Sequence, residues 1–396
     1  MADLPTPAGY LASGVEAGLK RGAPDLALIL SDRPAVAAGA TTTNRFFSPA
    51  VAATRKRLER GRLRAIVANS KNANAATGKR GLRDAELMAS LVAQRVGADP
   101  LEVAVCSTGV IGQCLPMDKI SVGIERAVAA LSPCGWPDAA RAIMTTDTRP
   151  KEAGRRLRIA KTDIAVRGMA KGVGMIHPQM ATTLAFVAAD AAIGRAQLRH
   201  IVLRAVQETF NAVTVDGDTS TSDTLIVMAN GAAGGPSIRA SSSDERRFAD
   251  VLTDLLRELA IELVRDGEGA TKVIEVAVCG ARTEAEARDA ARKIAASNLV
   301  KTAIHGCDAN WGRIAAALGN STAVFDQSRV AIKILGVSVM RQGLPAPYDE
   351  PALQGEMRRR ERIEIAVHLG AGKARAMAWG ADLSEEYIRI NADYRS

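Results

Sequence analysis

The segment spanning residues 171–190, which reads KGVGMIHPQMATTLAFVAAD, constrains the fold more than any other part of the chain. Its first half carries two glycines and a proline, which is typical of a loop. Its second half, residues 182–189, is an apolar run that predicts a buried strand. The junction Ala181-Thr182-Thr183 would then present a hydroxyl group at the mouth of that strand. Two interpretations remain open: an ordinary core strand that starts with threonine, or a functional group held on a rigid element.

Helical and strand patterns alternate along the rest of the chain. Apolar residues recur at helical spacing over 84–96, 120–131, 195–210 and 251–264, and Thr283 with Glu286 forms a capping-box pattern before a helix over 284–296. The predicted strands are 25–30, 65–68, 103–106, 157–166, 182–189, 273–278, 330–335 and 363–369. Because several strands follow one another directly, we predict an α/β or α+β fold with sheets layered between helices, divided near the central segment.

Composition and charge exclude several classes of protein. With 396 residues, 47% hydrophobic and 24% charged, the chain can bury a large core. The net charge of +9 comes from dispersed arginines without a recognition motif, so no nucleic-acid partner is expected. No window of 18 residues is apolar and uncharged, which predicts no membrane span. Five scattered cysteines, none in a C-x-x-C pair, favour a reducing compartment, and we expect a cytoplasmic protein.

The common catalytic motifs are missing from the sequence. It contains no G-x-S-x-G, no dinucleotide-binding or phosphate-binding glycine motif, and no cluster of histidine and cysteine for zinc. We therefore expect no cofactor and no metal. What remains are hydroxyl side chains on loops after strands, at 107–108, 145–148, 182–183 and 219–224. Among these, Thr108 and Gly109 lie in a tight turn whose N–H groups could receive a developing oxyanion.

A threonine hydroxyl is a weak nucleophile unless a base activates it. His177 lies nearby in sequence, but we assign it to loop structure rather than to this role. If the chain is cut between Ala181 and Thr182, Thr182 gains an α-amino group with a pKa of about 8, which can take the proton of its own hydroxyl. The residues alone leave open whether this cut occurs.

A series of motifs resembles the ornithine acetyltransferase family, the glutamate N-acetyltransferases of arginine biosynthesis. Besides the central segment, the resemblance rests on STGVIG, MTTDT, FNAVTVDGDTSTSDT, DGEGATK, GCDANWGR and NADYRS, in this order from about residue 10 to residue 396. It implies a precursor that cleaves itself into an α chain, 1–181, and a β chain, 182–396, assembled as an α2β2 heterotetramer. The mature enzyme would move acetyl from N-acetylornithine to glutamate by a ping-pong mechanism through Thr182. Whether acetyl-CoA also serves as donor stays open.

The resemblance also implies roles for individual residues. Thr182 is the nucleophile and Thr108 with Gly109 forms the oxyanion hole. Thr145 contacts substrate, with Thr146 as the neighbouring alternative. The other substrate-binding positions are Lys171 toward the carboxylate, Glu268 toward the α-ammonium, Thr182, and Asn391 and Ser396 from the end of the chain.

Three positions depart from the family pattern, and two other functions stay open. Lys71 stands where family members usually have glycine, Val173 replaces a usual serine, and Gln179 replaces a usual asparagine. The first alternative function is a self-cleaving amidase or aminopeptidase with an N-terminal nucleophile, which would use water as the acceptor. The second is a binding protein without catalytic activity, whose chain would stay intact.

Overall fold

The computed structural model of the chain describes residues 4–177 and 183–393. In this part, the helices are α1 Pro49–Arg60, α2 Gly78–Val96, α3 Met117–Ala129, α4 Trp136–Ile143, α5 Arg195–Glu208, α6 Ser243–Arg265, α7 Glu284–Ala296, α8 Asn298–His305, α9 Trp311–Gly319, α10 Glu350–Arg359 and α11 Glu385–Asp393. The strands are β1 Tyr10–Val15, β2 Leu26–Thr41, β3 Arg62–Asn69, β4 Val103–Ser107, β5 Lys151–Ile159, β6 Thr162–Lys171, β7 Leu184–Ala189, β8 Val213–Thr214, β9 Thr224–Ala229, β10 Val273–Ala281, β11 Ala331–Ile334, β12 Val337–Arg341, β13 Leu344–Pro345, β14 Arg362–His368 and β15 Ala374–Ala381.

The first sheet follows the order β4-β3-β2-β9-β7-β6-β5, and β1 pairs with the first part of β2, from Leu26 to Ser31. Helices cover both faces of its centre. In β7, Leu184 and Phe186 pack on the side of α4, whereas Ala185 and Val187 pack on the side of α5 and α6. A strand that is buried on both faces needs apolar residues at every position, which explains the continuous apolar run in the sequence. Helices α1 and α2 cover the end of the sheet formed by β3 and β4, and α3 packs on β1 and β2.

The second sheet follows the order β13-β12-β11-β14-β10-β15-β8. Strand β10 lies parallel to β14 and antiparallel to β15, and α7 packs across β10 and β15. The side chain of Thr283 accepts a hydrogen bond from the N–H of Glu286 and so caps α7, whose bounds match the predicted helix. The short strand β8 precedes β9 in the chain but pairs with β15, which ties the two sheets together.

The prediction of sheets layered between helices is confirmed, and three local predictions are wrong. The strand predicted over 25–30 continues to Thr41, because a bulge between Leu30 and Ala35 absorbs the polar Asp32-Arg33-Pro34 segment. The single strand predicted over 157–166 is a hairpin of β5 and β6, which reverses at Ala160 with φ of 53°. The hydroxyl cluster at 145–148 follows helix α4 rather than a strand.

The central segment joins two neighbouring strands of one sheet. Lys171 at the end of β6 pairs with Leu184 at the start of β7, in antiparallel register. A cut between residues 181 and 182 would therefore leave a single sheet built from both chains. No helix within residues 4–177 and 183–393 has the length and apolarity that crossing a membrane requires.

Candidate active site

A cavity of about 650 Å³, open to solvent, lies where β6 ends and β9 begins. Its wall includes Lys171 at the end of β6, together with Ser220, Thr221 and Ser222 from the loop before β9. Six predicted site residues line this cavity, although they come from five separate segments of the chain: Thr108, Gly109, Thr145, Lys171, Glu268 and Asn391. Ala181, Thr182 and Ser396 lie outside the described residues.

Strand register explains why these segments meet. Lys171 in β6 pairs with Leu184 in β7, and Leu184 pairs in parallel with Thr224 in β9. Residue 183, which follows the predicted nucleophile, is thus held between the end of β6 and the start of β9. The side chain of Lys171 then extends to the turn after β4, where its Nζ lies 3.3 Å from Thr108 Oγ1.

The turn at Thr108 and Gly109, called the anion-binding turn below after its predicted role, lines the cavity. Gly109 has φ of +128°, and a Cβ at this position would stand 2.2 Å from the carbonyl group of Lys71, so only glycine fits. The Thr108 N–H donates to Asn69 O at 3.0 Å. No acceptor among the described residues takes the Gly109 N–H. Since both residues line the cavity, the Gly109 N–H and the Thr108 hydroxyl are available as donors to a bound group.

Lys171 supplies a buried positive group to the cavity wall. Its Nζ donates to Thr145 Oγ1 at 2.7 Å and to Thr108 Oγ1 at 3.3 Å. Burial lowers the pKa of the Lys171 ammonium, while the nearby carboxylates Asp147, Asp223 and Glu268 oppose that change. An amine held in such a position can bind an anionic substrate group.

Glu268 supplies the opposite charge. Its Oε1 accepts a hydrogen bond from Thr146 Oγ1 at 3.1 Å, and its Oε2 accepts one from Asn391 Nδ2 at 2.9 Å. Thr145 and Thr146 therefore have different partners, the first Lys171 and the second Glu268, and both line the cavity. A cation and a carboxylate in one cavity match the two charged groups of an amino acid.

A buried ion network supports this site, and its centre was missed in the sequence. Lys151 Nζ lies 2.7 Å from Asp147 Oδ1 and 2.6 Å from Asp266 Oδ2, and all three side chains are almost fully buried. Asp147 also accepts hydrogen bonds from the N–H groups of Thr145 and Gly172. The network joins the loop after α4, the end of β6 and the end of α6, so it fixes the segments that carry three of the site residues. In the sequence, only Asp147, the single acid of the MTTDT motif, could have indicated this network.

This network should make stability depend on pH. Burial alone would raise the pKa of Asp147, but Lys171 and Lys151 outweigh it and hold the pKa at about 2. Because the folded pKa lies below the ordinary value of 3.8, the contribution is complete above about pH 4 and is lost as pH falls toward 2. We expect Asp147→Asn to lower the free energy of unfolding by about 3 kcal/mol at pH 7. In urea unfolding series, the difference from the wild type should shrink between pH 4 and pH 2.5.

The exposed Asp163 offers the matched control for that experiment. Its side chain is 76% exposed and only approaches Arg158 at 3.9 Å, so Asp163→Asn should change the free energy of unfolding by less than about 0.5 kcal/mol. Equal losses for the two variants would contradict the assignment of stability to the buried network.

Lys71, a departure from the family pattern, lies beside the anion-binding turn. Its backbone has φ of 85°, a region that favours glycine, and its carbonyl accepts from Val110 N at 2.8 Å. The side chain is exposed and does not line the cavity. Lys71→Gly should therefore raise the free energy of unfolding by about 0.5 kcal/mol, since relief of strain exceeds the added chain entropy. Arg83→Gly, at an exposed position with helical backbone in α2, should instead lower it by about 1 kcal/mol in the same urea titration.

His177, the histidine of the central loop, lies outside the cavity. His177 Nδ1 lies 3.3 Å from Thr214 Oγ1, and the ring is not part of the cavity wall. Within the described residues, no group of three or more histidine, cysteine, aspartate or glutamate side chains could hold a metal ion.

Comparison with known proteins identifies the family to which this chain belongs. The ArgJ family model matches residues 11–396. The chain belongs to the ArgJ family. The "Arginine biosynthesis bifunctional protein ArgJ" of Symbiobacterium thermophilum is 51% identical over 393 residues, which is 98% of each chain. The resemblance stated from the motifs is thereby confirmed, and with it the prediction of an acyltransferase of arginine biosynthesis.

Two solved structures are also similar. A crystal structure of arginine biosynthesis bifunctional protein ArgJ from Bacillus halodurans is 41% identical, with a TM-score of 0.52, and the match covers 53% of this chain and 98% of that chain. A crystal structure of ornithine acetyltransferase from Mycobacterium tuberculosis, complexed with ornithine, is 38% identical, with a TM-score of 0.40, and the match covers 45% of this chain and 96% of that chain.

Proposed function

We propose that this chain transfers an acetyl group from N-acetylornithine to glutamate through an acetyl-enzyme formed on Thr182. The observation that carries this proposal is the cavity beside the start of β7, the strand that follows Thr182. It combines the anion-binding turn, a buried cation and a carboxylate. In the first half-reaction the Thr182 hydroxyl attacks the acetyl carbonyl and ornithine leaves. In the second, the amine of glutamate attacks the acetyl-enzyme and restores the hydroxyl.

The anion-binding turn supports this chemistry. Attack on a carbonyl develops negative charge on its oxygen, and the Gly109 N–H and the Thr108 hydroxyl both face the cavity. Lys171 donates to that same hydroxyl at 3.3 Å, so the Thr108 Oγ–H is left free to point toward the oxyanion. Each such donor contributes roughly 3–4 kcal/mol to the stabilisation of the transition state.

The charged pair supports an amino-acid substrate. We assign the carboxylate of the substrate to Lys171 and its α-ammonium to Glu268, with Thr145 and Asn391 as further contacts. Glu268 is held by Thr146 and Asn391, so its position does not depend on the substrate. Ser396 completes the proposed set from the end of the chain.

We also propose that the chain cleaves itself between Ala181 and Thr182, giving chains 1–181 and 182–396 assembled as α2β2. The solved Bacillus halodurans chain is matched over 98% of its length but covers only 53% of this chain, so it has about half the length. A chain of that length is what a precursor cut near its middle would give. The cut would also create the α-amine that activates Thr182.

Two measurements on the wild-type protein test this function. Denaturing mass spectrometry should find two fragments, one ending at Ala181 and one starting at Thr182. Purified enzyme should acetylate glutamate with N-acetylornithine as donor and give parallel lines in double-reciprocal plots, as a ping-pong mechanism requires. Release of acetate without glutamate would instead favour the amidase alternative, and a separate assay with acetyl-CoA decides whether it is a second donor.

Glu268→Gln tests the assignment of the ammonium group. Glutamine can still accept from Thr146 but has lost the charge, so we expect kcat/KM to fall by about 10²-fold for both substrates while self-cleavage continues. The matched control is Glu262→Gln on α6, because Glu262 pairs with Arg149 and Arg265 away from the cavity. Steady-state kinetics with each substrate varied give the comparison, and similar values for the two variants would contradict the assignment.

A further inference from the structure

Lys20 holds the loop that carries Thr145 and Thr146, although it does not line the cavity. Its Nζ donates to Met144 O at 2.6 Å and to Pro24 O at 3.2 Å. Met144 directly precedes Thr145, so the first of these bonds ties the loop after α4 to a segment that lies 124 residues earlier in the chain. The family motifs that carry the resemblance do not contain this lysine.

A buried carboxylate fixes the backbone around Lys20. The N–H groups of Ala17, Leu19 and Lys20 donate to the Asp25 side chain at 2.6, 2.6 and 2.8 Å. Asp25 directly precedes β2 and is fully buried. Because these three hydrogen bonds hold residues 17–20 against the start of an inner strand of the sheet, the Lys20 side chain extends from a rigid point of the fold.

The peptide group between Met144 and Thr145 is held from both sides. Its carbonyl oxygen accepts from Lys20, and its N–H, which belongs to Thr145, donates to Asp147 Oδ2 at 2.9 Å. No backbone N–H in the described part of the chain donates to Met144 O. Because a peptide group is planar, these two bonds together fix its orientation and the direction in which Thr145 begins.

The orientation of this peptide group affects both charged residues of the cavity. Thr145 Oγ1 accepts from Lys171 Nζ at 2.7 Å. Thr146 Oγ1 donates to Glu268 Oε1 at 3.1 Å. A rotation of the peptide group before Thr145 would move both hydroxyls, which are the partners that orient the cation and the carboxylate. Lys20 is therefore connected to the charged pair through the backbone of this loop.

The charge of Lys20 is sensitive to pH. The pKa of its ammonium is lowered to about 8, first by burial and then by the positive charges of Lys171, at the end of β6, and Lys71, after β3. The carboxylates of Asp25, before β2, and Asp147, after α4, oppose this change. The ammonium is thus charged at pH 7 and loses its charge as the pH rises through about 8. A hydrogen bond from a charged donor is roughly twice as strong as one from a neutral donor.

We propose that Lys20 is a positioning residue for the substrate: its charged amine orients the peptide group between Met144 and Thr145, and thereby the two threonines that hold the charged pair of the cavity. This inference rests on the proposed function, which assigns that pair to the carboxylate and the α-ammonium of an amino acid. Lys20 donates to two carbonyl groups outside the cavity wall, so its loss should weaken substrate binding and spare the chemical step.

Lys20→Met tests this role, because methionine keeps an apolar stem of similar length but cannot donate a hydrogen bond. We expect KM for N-acetylornithine and for glutamate to rise about 10-fold, while kcat stays within about 2-fold of the wild type. The matched control is Lys119→Met. Lys119 Nζ donates to Gly18 O at 3.1 Å, so it binds the same segment as Lys20 from an exposed position on α3 and should leave KM unchanged. Steady-state kinetics with each substrate varied give the comparison, and urea unfolding shows whether both variants are folded.

Lys20→Arg provides a second test that does not depend on the methionine variant. Arginine can donate to the Met144 carbonyl and stays charged throughout the pH range of the assay. Dividing kcat/KM of the wild type by that of Lys20→Arg cancels the titration of the substrates and of the other groups of the enzyme. We expect this ratio to fall about 5-fold between pH 7 and pH 9.5, as Lys20 loses its charge.

Three results would overturn the positioning role. They are an unchanged KM in Lys20→Met, an equal rise of KM in Lys119→Met, and a ratio of wild type to Lys20→Arg that is independent of pH. If the wild-type protein transfers no acetyl group, the proposed function itself fails. Wild-type activity together with an unchanged KM in Lys20→Met would reject the role of Lys20 alone, so the two failures can be distinguished.

Discussion

Thr182→Ala is expected to leave the chain as a single piece of 396 residues and to abolish acetyl transfer. Both effects have one cause, because the same hydroxyl would attack the Ala181 carbonyl in the precursor and the acetyl carbonyl in the mature enzyme. Loss of a nucleophile in comparable acyl-transfer enzymes lowers kcat by about 10⁶-fold. Denaturing mass spectrometry reports the cut, and acetylation of glutamate with N-acetylornithine reports the activity.

Thr182→Ser provides the control for this experiment. Serine keeps a hydroxyl on the same carbon, so the chain should still be cut and should keep measurable activity. The alanine variant should unfold cooperatively on heating, which would show that its loss of activity is not caused by misfolding. Fragments in the alanine variant, or an intact wild-type chain, would show that Thr182 is not the self-cleaving residue.

Gly109→Ala is expected to have the second largest effect. A Cβ at this position would stand 2.2 Å from the carbonyl group of Lys71, so the turn must move, and φ of +128° disfavours any side chain. Movement of the turn displaces the Gly109 N–H and the Thr108 hydroxyl together. We expect kcat to fall by about 10²–10³-fold, as when one oxyanion donor is removed.

Gly112→Ala separates this effect from general backbone strain. Gly112 follows in the same loop with φ of +86°, but nothing lies within 4 Å of an added Cβ. This variant should lose only about 1 kcal/mol of unfolding free energy and keep nearly all of its kcat. Steady-state kinetics and urea unfolding of both variants give the comparison, and an equal loss of kcat would exclude a special role for the Thr108–Gly109 turn.

Local patterns predicted several elements well because those elements depend on local interactions. Helix α7 matches its predicted bounds, since Thr283 and Glu286 mark its start within four residues. The apolar run after Thr182 is strand β7, because burial on both faces leaves no polar position. The hairpin of β5 and β6 was missed, since Ala160 and Lys161 at its reversal are not typical turn residues and only the positive φ of Ala160 marks the turn.

The sequence by itself determined the family, the candidate nucleophile and six of the residues that line the cavity, because each belongs to a short motif that stays recognisable out of context. Only the tertiary structure decided how those motifs meet. The contact of Thr146 with Glu268 joins residues 122 positions apart, and that of Lys151 with Asp266 joins residues 115 apart. Which buried charges become neighbours depends on sheet order and strand register, which are set by packing of the whole chain rather than by any local pattern.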